Sequence, residues 1–322
     1  MNLSESFDAL DDNLKLDPAE RDRAIEAHNR LGDLLVAAGV AKRTRLQGSF
    51  ARKTMLPPLK DIDKVIELVD TFKEILAGPG GPEKAMLIIQ EILEEEMPGV
   101  TFEVKQHALG IVVPGDGFDF DAVPAFNEED GTGWIKIADI DDDDWEPSNT
   151  YLLIDTIADR NEACEGRFVR QVRMVKQAVK IAGIDIPGLH VEAFAYDAVT
   201  TEMDHSAAVT ATLSWAASAL QGAYTDPTGV DRLDERLDSI QKGQARAGFQ
   251  RLADLATKAQ RLAGDGDEDG AALIWRDIFG DPFPKPDTAK DFLQQLHGGS
   301  GITSIGTVTP SVSTPKTRAW RP

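Results

Sequence analysis

"LQGSFARKTMLPPLKDIDKVIELV", from Leu46 to Val69, places a Gly-Ser turn, a basic loop and two aspartates one residue apart within two dozen positions. Its second half, "DIDKVIELV", is rich in β-branched and apolar residues and predicts a strand. Alternate side chains of a strand share a face, so Asp61 and Asp63 project together, roughly 7 Å apart at Cα by the ~3.4 Å rise per residue, while Ile62 points into the core. Two adjacent carboxylates repel unless a cation lies between them, and hard oxygen ligands of this kind favour Mg²⁺. A third carboxylate on a neighbouring strand would admit two ions roughly 3.5–4 Å apart. The stretch "FDFDAVPAF" (118–126) offers one, with Asp119 and Asp121 on one face and Phe118 and Phe120 on the other. The Gly-Ser turn fits the same scheme. Gly48 lets the backbone approach a polyanion, the Ser49 hydroxyl and the amides after it can donate to a phosphate at a helix start, and Arg52 and Lys53 help neutralise its charge. A Gly-Ser alone is usually only a turn, and an Asp-x-Asp alone usually a solvated strand end. Their order, their spacing and the second Asp-rich strand together carry the functional reading.

The rest of the chain sets limits. At 322 residues with 42% apolar content it is long enough for two lobes with filled cores. No run approaches the ~18 apolar residues of a membrane helix, and the start, "MNLSESFDAL", is acidic and polar where a signal peptide is basic and then apolar, so a cytoplasmic protein is expected. The net charge of −21 argues against a broad duplex nucleic-acid surface, while small anionic ligands held with metal remain compatible. The single cysteine, Cys164, excludes an internal disulfide, and five histidines scattered without an i, i+4 pair speak against zinc.

Helical spacing and stop signals predict a long helix from 18 to 40 and another after "GPGGP" (78–82), ending before Pro98. "TFEVKQ", "ALGIVVP" and "FDFDAVP" read as three short strands. From Tyr151 onward the pattern is helical: 151–163, 166–182, 189–203, 206–222, 230–262 with a break, and 268–279. The expected organisation is therefore an α+β lobe over 1–150, with a mixed sheet and the long N-terminal helix, a helical lobe over 151–296, and a flexible tail over 297–322. "DIDDDDWEP" (139–147) lacks the Gly and terminal Glu of a calcium loop and reads as an acidic connector between lobes. Trp275, Ile278 and Phe279 before Gly280 read as core residues with a helix stop.

These residues resemble a known family. "QGSFARKT", "DIDKVIEL" and "FDFDAVPAF" are similar to the polymerase-β-type nucleotidyltransferases. With the helix "RFVRQVRMVKQAVK" and the ending "ALIWRDIFGDPFP", the chain from about 30 to 285 resembles the CD-NTases, bacterial relatives of cyclic GMP-AMP synthase. The resemblance implies an active site in the cleft between a polymerase-β-like lobe and a helical lobe, two Mg²⁺ (or Mn²⁺) ions, and Asp61, Asp63 and Asp121 as metal ligands, with Asp121 also deprotonating the acceptor hydroxyl. Asp121 rather than Asp119 fits the family's D-x-V-P register. The implied nucleotide contacts fall on Gln47, Gly48, Ser49, Arg52, Arg173 and Lys176, the last matching a lysine on the donor phosphates. On the helix that carries them, Arg170, Arg173, Lys176 and Lys180 lie within about 120° of one another, opposite Phe168, Val172, Val175 and Val179. Where the family often has a serine followed by a glutamate, this chain has "GLHVEAF", which puts His190 at the hydroxyl's place.

The activity implied is condensation of nucleoside triphosphates (ATP or others) into a cyclic di- or trinucleotide with loss of pyrophosphate. In the family such products are second messengers of anti-phage (CBASS-type) defence that activate a separate effector. Some members are conjugated at the C-terminus by a ubiquitin-transfer-like enzyme, and a tail ending "RAWRP" is expected to be accessible. Two alternatives stay open: a toxin-like nucleotidyltransferase that modifies tRNA or protein, and a catalytically silent nucleotide-sensing module. The first needs a macromolecular acceptor; the second predicts a broken carboxylate set.

Overall fold

In the computed structural model, residues 2–115, 117–128 and 132–286 are described. The chain opens with α1 (Leu3–Asn13), closed by a capping box in which the Asn2 side chain accepts from the Glu5 amide at 2.8 Å and the Glu5 carboxylate accepts from the Asn2 amide at 2.9 Å. Next comes α2 (Pro18–Ala37), started by Asp17, whose carboxylate takes the Ala19 and Glu20 amides. β1 (Ala41–Leu46), α3 (Gly48–Ala51), β2 (Asp61–Leu68), α4 (Thr71–Leu76) and α5 (Gly81–Glu96) follow. Five further strands complete the first lobe: β3 (Thr101–Val104), β4 (Leu109–Val112), β5 (Asp119–Asn127), β6 (Ile135–Asp139) and β7 (Asp144–Ser148).

The strands form one mixed sheet in which β2 pairs antiparallel with β1 and parallel with β5. The free edge of β5 is shared by two hairpins: β4–β3 pairs with its first half and β6–β7 with its last residues. Strand alternation decides what each face carries. Ile62, Ile66 and Leu68 of β2 and Phe120 of β5 are buried against Leu31 and Leu35 of α2 and Met86, Ile89 and Leu93 of α5. The intervening positions Asp61, Asp63, Val65 and Glu67 face the other way, and there Val65 packs with Ala125, Ile135 and Tyr151.

The acidic stretch predicted to be a connector is the turn and second strand of the β6–β7 hairpin. Asp139 is buried and accepts the amides of Asp141 and Asp142 at 2.9 and 3.3 Å, so this carboxylate shapes the turn. Trp145 then anchors the hairpin, its indole N–H donating to the Leu76 carbonyl at 2.9 Å.

The second lobe comprises α6 (Thr150–Ala163), α7 (Phe168–Ala182), α8 (Gly188–Ala198), α9 (His205–Ala219), α10 (Ser239–Gly264) and α11 (Glu268–Phe279). The predicted apolar stripe Phe168, Val172, Val175 and Val179 is buried, and Gly183 ends α7 in the left-handed conformation. Trp275, Ile278 and Phe279 are fully buried, as their spacing predicts. The rings of Trp275, Phe279 and Phe283 stack in sequence, and Phe7 of α1 meets all three edge-on at 5.1–5.9 Å. The first residues, expected in the 1–150 lobe, thus pack here: Phe7, Leu10 and Leu14 belong to the helical core, and α1 touches α7, α9 and α11. Apolar positions at i, i+3 and i+7 give α1 one stripe, and the aromatic ladder of α11 supplies its partner.

Candidate active site

The parallel pairing of β2 with β5 puts Asp61 opposite Asp119 and Asp63 opposite Asp121. Both predicted pairs therefore lie side by side on the sheet face that looks away from α2 and α5. Asp63 is half-buried, and its carboxyl is pushed above the ordinary range by burial and by the nearby charges of Asp121 and Asp61. Lys105, one residue past β3, partly offsets this charge, its ammonium lying 2.6 Å from Asp121 Oδ1.

The Gly-Ser turn is fastened to the same strand. The Gln47 amide donates to the Asp63 carbonyl at 2.9 Å, and Gly48, at φ +69°, passes so close that a Cβ there would lie 1.6 Å from Asp63 Oδ2. Conformation and space both require glycine at this position. Beyond it, Ser49 opens onto a cavity between the lobes, lined on one side by Leu56, Lys60 and Asp61 and on the other by Lys176 and Lys180 of α7. Among the described residues, neither the Lys60 nor the Lys180 ammonium makes an ion pair.

Other predicted contacts are held by the protein itself. Glu192 of α8, fully buried, accepts from Arg52 Nε at 2.6 Å, Thr54 Oγ1 at 2.7 Å and Lys176 Nζ at 2.7 Å. Burial raises the pKa of Glu192, but Lys176 and Arg52 outweigh it and hold the carboxyl down at about 2. Arg52 and Lys176 are therefore joined through one carboxylate that ties the loop after α3 to the helical lobe, and Lys176 still borders the cavity. Arg173 does not border it. Its guanidinium donates to the Lys53 carbonyl at 3.0 Å and to Asp11 Oδ1 at 2.7 Å, a strap from α7 to α1 and to a lysine held at φ +60°. Arg170 lies 3.6 Å from the same Asp11. Asp11 takes both arginines because α1 packs on α7.

His190 also departs from the expectation. It is 1% exposed, its Nδ1 is 2.7 Å from the Tyr224 hydroxyl, and burial together with Arg236 lowers its pKa to about 4. A neutral ring inside the helical core makes no phosphate contact. The glutamate two residues on is the one that reaches the interlobe boundary. Gln47 is nearly buried with Oε1 unpartnered, and its tie to the strand is through the backbone. Sequence reasoning missed Lys60, Lys105 and Asp11. It also missed that His107, Asp139 and Glu146 come together, with one ligand atom of each within 4.8 Å, where the β3–β4 turn meets the β6–β7 hairpin. The histidine ring is held there by Nδ1–H donating to the Ala138 carbonyl at 3.0 Å.

Fold and cleft are those of a polymerase-β-like nucleotidyltransferase. Residues 1–161 match the family described as the Second Messenger Oligonucleotide or Dinucleotide Synthetase domain. The chain belongs to this family, the CD-NTases, and is a nucleotidyltransferase that produces cyclic oligonucleotides. No curated protein matches it by sequence. Among solved structures it is similar to CdnC of E. coli MS115-1 with ATP (16% identity, TM-score 0.71, covering 88% of this chain and 99% of that one). It is likewise similar to the CD-NTase CdnG of Bradyrhizobium diazoefficiens in complex with GTP (17%, 0.67, 90% and 97%). A third is the Vibrio cholerae cyclic AMP-GMP synthase DncV with the linear intermediate pppA(3′,5′)pG (16%, 0.58, 75% and 69%). At these identities the likeness speaks for the fold.

Proposed function

We propose that the protein is a metal-dependent synthase of a cyclic di- or trinucleotide second messenger, with Asp61, Asp63 and Asp121 as its catalytic carboxylates. The observation that carries this reading is the register that sets Asp63 beside Asp121 in adjacent parallel strands, with Asp61 two residues before on the same face. A divalent pair suits the residues present: the carboxylates repel one another enough to raise the Asp63 pKa, and one lysine offsets only part of their charge. Mg²⁺ or Mn²⁺ held there would acidify the acceptor hydroxyl and neutralise charge on the donor phosphates.

The protein's own groups do the rest. The turn at Gly48 and Ser49 offers amides and a hydroxyl to the terminal phosphates, and Lys60, Lys176 and Lys180 supply positive charge along the cavity. Asp121 accepts the proton of the 2′- or 3′-hydroxyl of one nucleotide as that oxygen attacks the α-phosphorus of another, and the α–β phosphoanhydride bond breaks to release pyrophosphate. A second attack within the linear product closes the ring. The nucleotides named with CdnC and CdnG support nucleoside triphosphates as substrates. Membership of the family supports a role in anti-phage signalling through a separate effector. The tail proposed as a conjugation site lies outside the described residues.

The test is incubation of purified protein with labelled ATP, GTP, CTP and UTP plus Mg²⁺ or Mn²⁺, then phosphatase treatment, chromatography and mass spectrometry. A phosphatase-resistant product that is absent from the Asp61→Ala, Asp63→Ala double variant supports the reading and identifies the bases. A product equally abundant in both proteins contradicts it.

A further inference from the structure

We propose that Lys105 is a positioning residue that occupies the third carboxylate of the active site until metal arrives, so that divalent metal binds Asp121 by displacing an ammonium. The inference rests on the assignment of Asp61, Asp63 and Asp121 as metal ligands. Lys105 sits at the tip of the β3–β4 hairpin, its amide donating to the Ala108 carbonyl at 2.8 Å, and its Nζ ends 2.6 Å from Asp121 Oδ1. Among the described residues this is its one ion pair. Glu103 and Asp61 are further acidic neighbours whose charges act on its ammonium.

A second feature of the fold serves the same contact. Gly110 on β4 pairs directly with Asp121, and a Cβ there would come within 2.9 Å of Lys105 Cε and 3.4 Å of its Nζ. Glycine inside a strand weakens the strand and marks a close approach. Here what approaches is the stem of Lys105 on its way to the carboxylate. The path is built into the sheet, whereas the pair itself is partly solvated, with side-chain exposures of 43% for Lys105 and 21% for Asp121. A solvated pair is weak. It can steady Asp121 against its carboxylate neighbours and still yield to an ion of twice the charge shared among three carboxylates.

The test is Mn²⁺ binding to the nucleotide-free protein at low ionic strength, read from the electron paramagnetic resonance signal of free Mn²⁺. Lys105→Met keeps a stem over Gly110 and removes the charge; Lys105→Arg keeps the charge. Asp61→Asn reports Mn²⁺ taken up elsewhere, including at His107, Asp139 and Glu146, and is subtracted. Removing a unit charge a few ångströms from a divalent ion predicts about tenfold tighter binding by Lys105→Met, with Lys105→Arg within about twofold of wild type. Circular dichroism confirms that each variant is folded, and Lys105→Gln, which also removes the charge and carries the same prediction, takes the place of Lys105→Met if that variant does not fold. Unchanged or weaker binding by Lys105→Met, with the Asp61-dependent site intact, overturns the role of Lys105 alone. If Asp61→Asn removes no Mn²⁺ binding, the metal assignment fails and this inference fails with it.

Discussion

One strand carries two opposite treatments of a carboxylate. On the same face of β2, Asp63 lies among Asp61 and Asp121 with its pKa raised, while Glu67, four residues on, is fully buried and has its pKa lowered. Burial raises both. At Glu67 it is outweighed by three donors, Tyr151 Oη at 2.7 Å, Arg43 Nε at 2.7 Å and Asn127 Nδ2 at 3.1 Å, and by the charge of Arg43. At Asp63 the neighbours include two more carboxylates, and neither the charge of Arg52 nor a backbone hydrogen bond reverses the shift. The Glu67 end of the strand is a finished structural network, and the Asp63 end is short of positive charge. That shortage is what a binding site for cations and nucleotide requires, and the protein carries its energetic cost when nothing is bound.

The comparison can be broken in four ways, in order of expected effect. Gly48→Ala forces a Cβ into the Asp63 carboxylate and should lower the rate of nucleotide condensation at least about a hundredfold, since a 1 Å misplacement costs that much. Steady-state kinetics on folded protein checks it. Glu192→Gln leaves Arg52 and Lys176 without their shared buried counter-charge, and urea denaturation should show a loss of about 3 kcal/mol.

Glu67→Gln should cost about 1–2 kcal/mol at pH 7, discounted because Arg43 and Arg45 are half-exposed and regain water. Its folded pKa lies below its ordinary 4.5, so the wild-type advantage is present above that pH and fades as acid carries the solution down through the folded value. Asp63→Asn has the opposite sign and the smallest effect. Its folded pKa lies above the ordinary 3.8, so ionised Asp63 destabilises the metal-free protein at neutral pH. The variant should melt roughly 2 °C higher than wild type in EDTA at pH 7, with the difference gone below about pH 4.

The contrast also marks what the sequence makes legible. Period-two alternation was enough to place Asp61 with Asp63 and Asp119 with Asp121, because it is local. The register that sets one pair beside the other is not local, and no spacing along the chain encodes it. Lys105 and Glu192 escaped for that reason: one meets Asp121 across a hairpin, the other meets Arg52 across 140 residues. Helix α1 left a signal that could have been used, the Asn2–Glu5 capping box ahead of Phe7 and Leu10. The acidic run 139–147 misled because charge density outweighs, to the eye, the alternation of Trp145 and its neighbours in a short edge hairpin. Arg173 and His190 show the limit of transferring contacts by motif. A side chain on the expected helix can be claimed by a nearer partner, here Asp11 for one and Tyr224 for the other.

The most direct test compares pyrophosphate release from mixed nucleoside triphosphates with Mg²⁺ by the wild type, Asp121→Asn and Glu67→Gln, at a temperature where all three are folded. If the three carboxylates in register are the catalytic centre, Asp121→Asn should lose at least about a hundredfold in rate, while Glu67→Gln should keep most of the activity despite its lower stability. An Asp121→Asn protein that turns over at the wild-type rate would contradict the account.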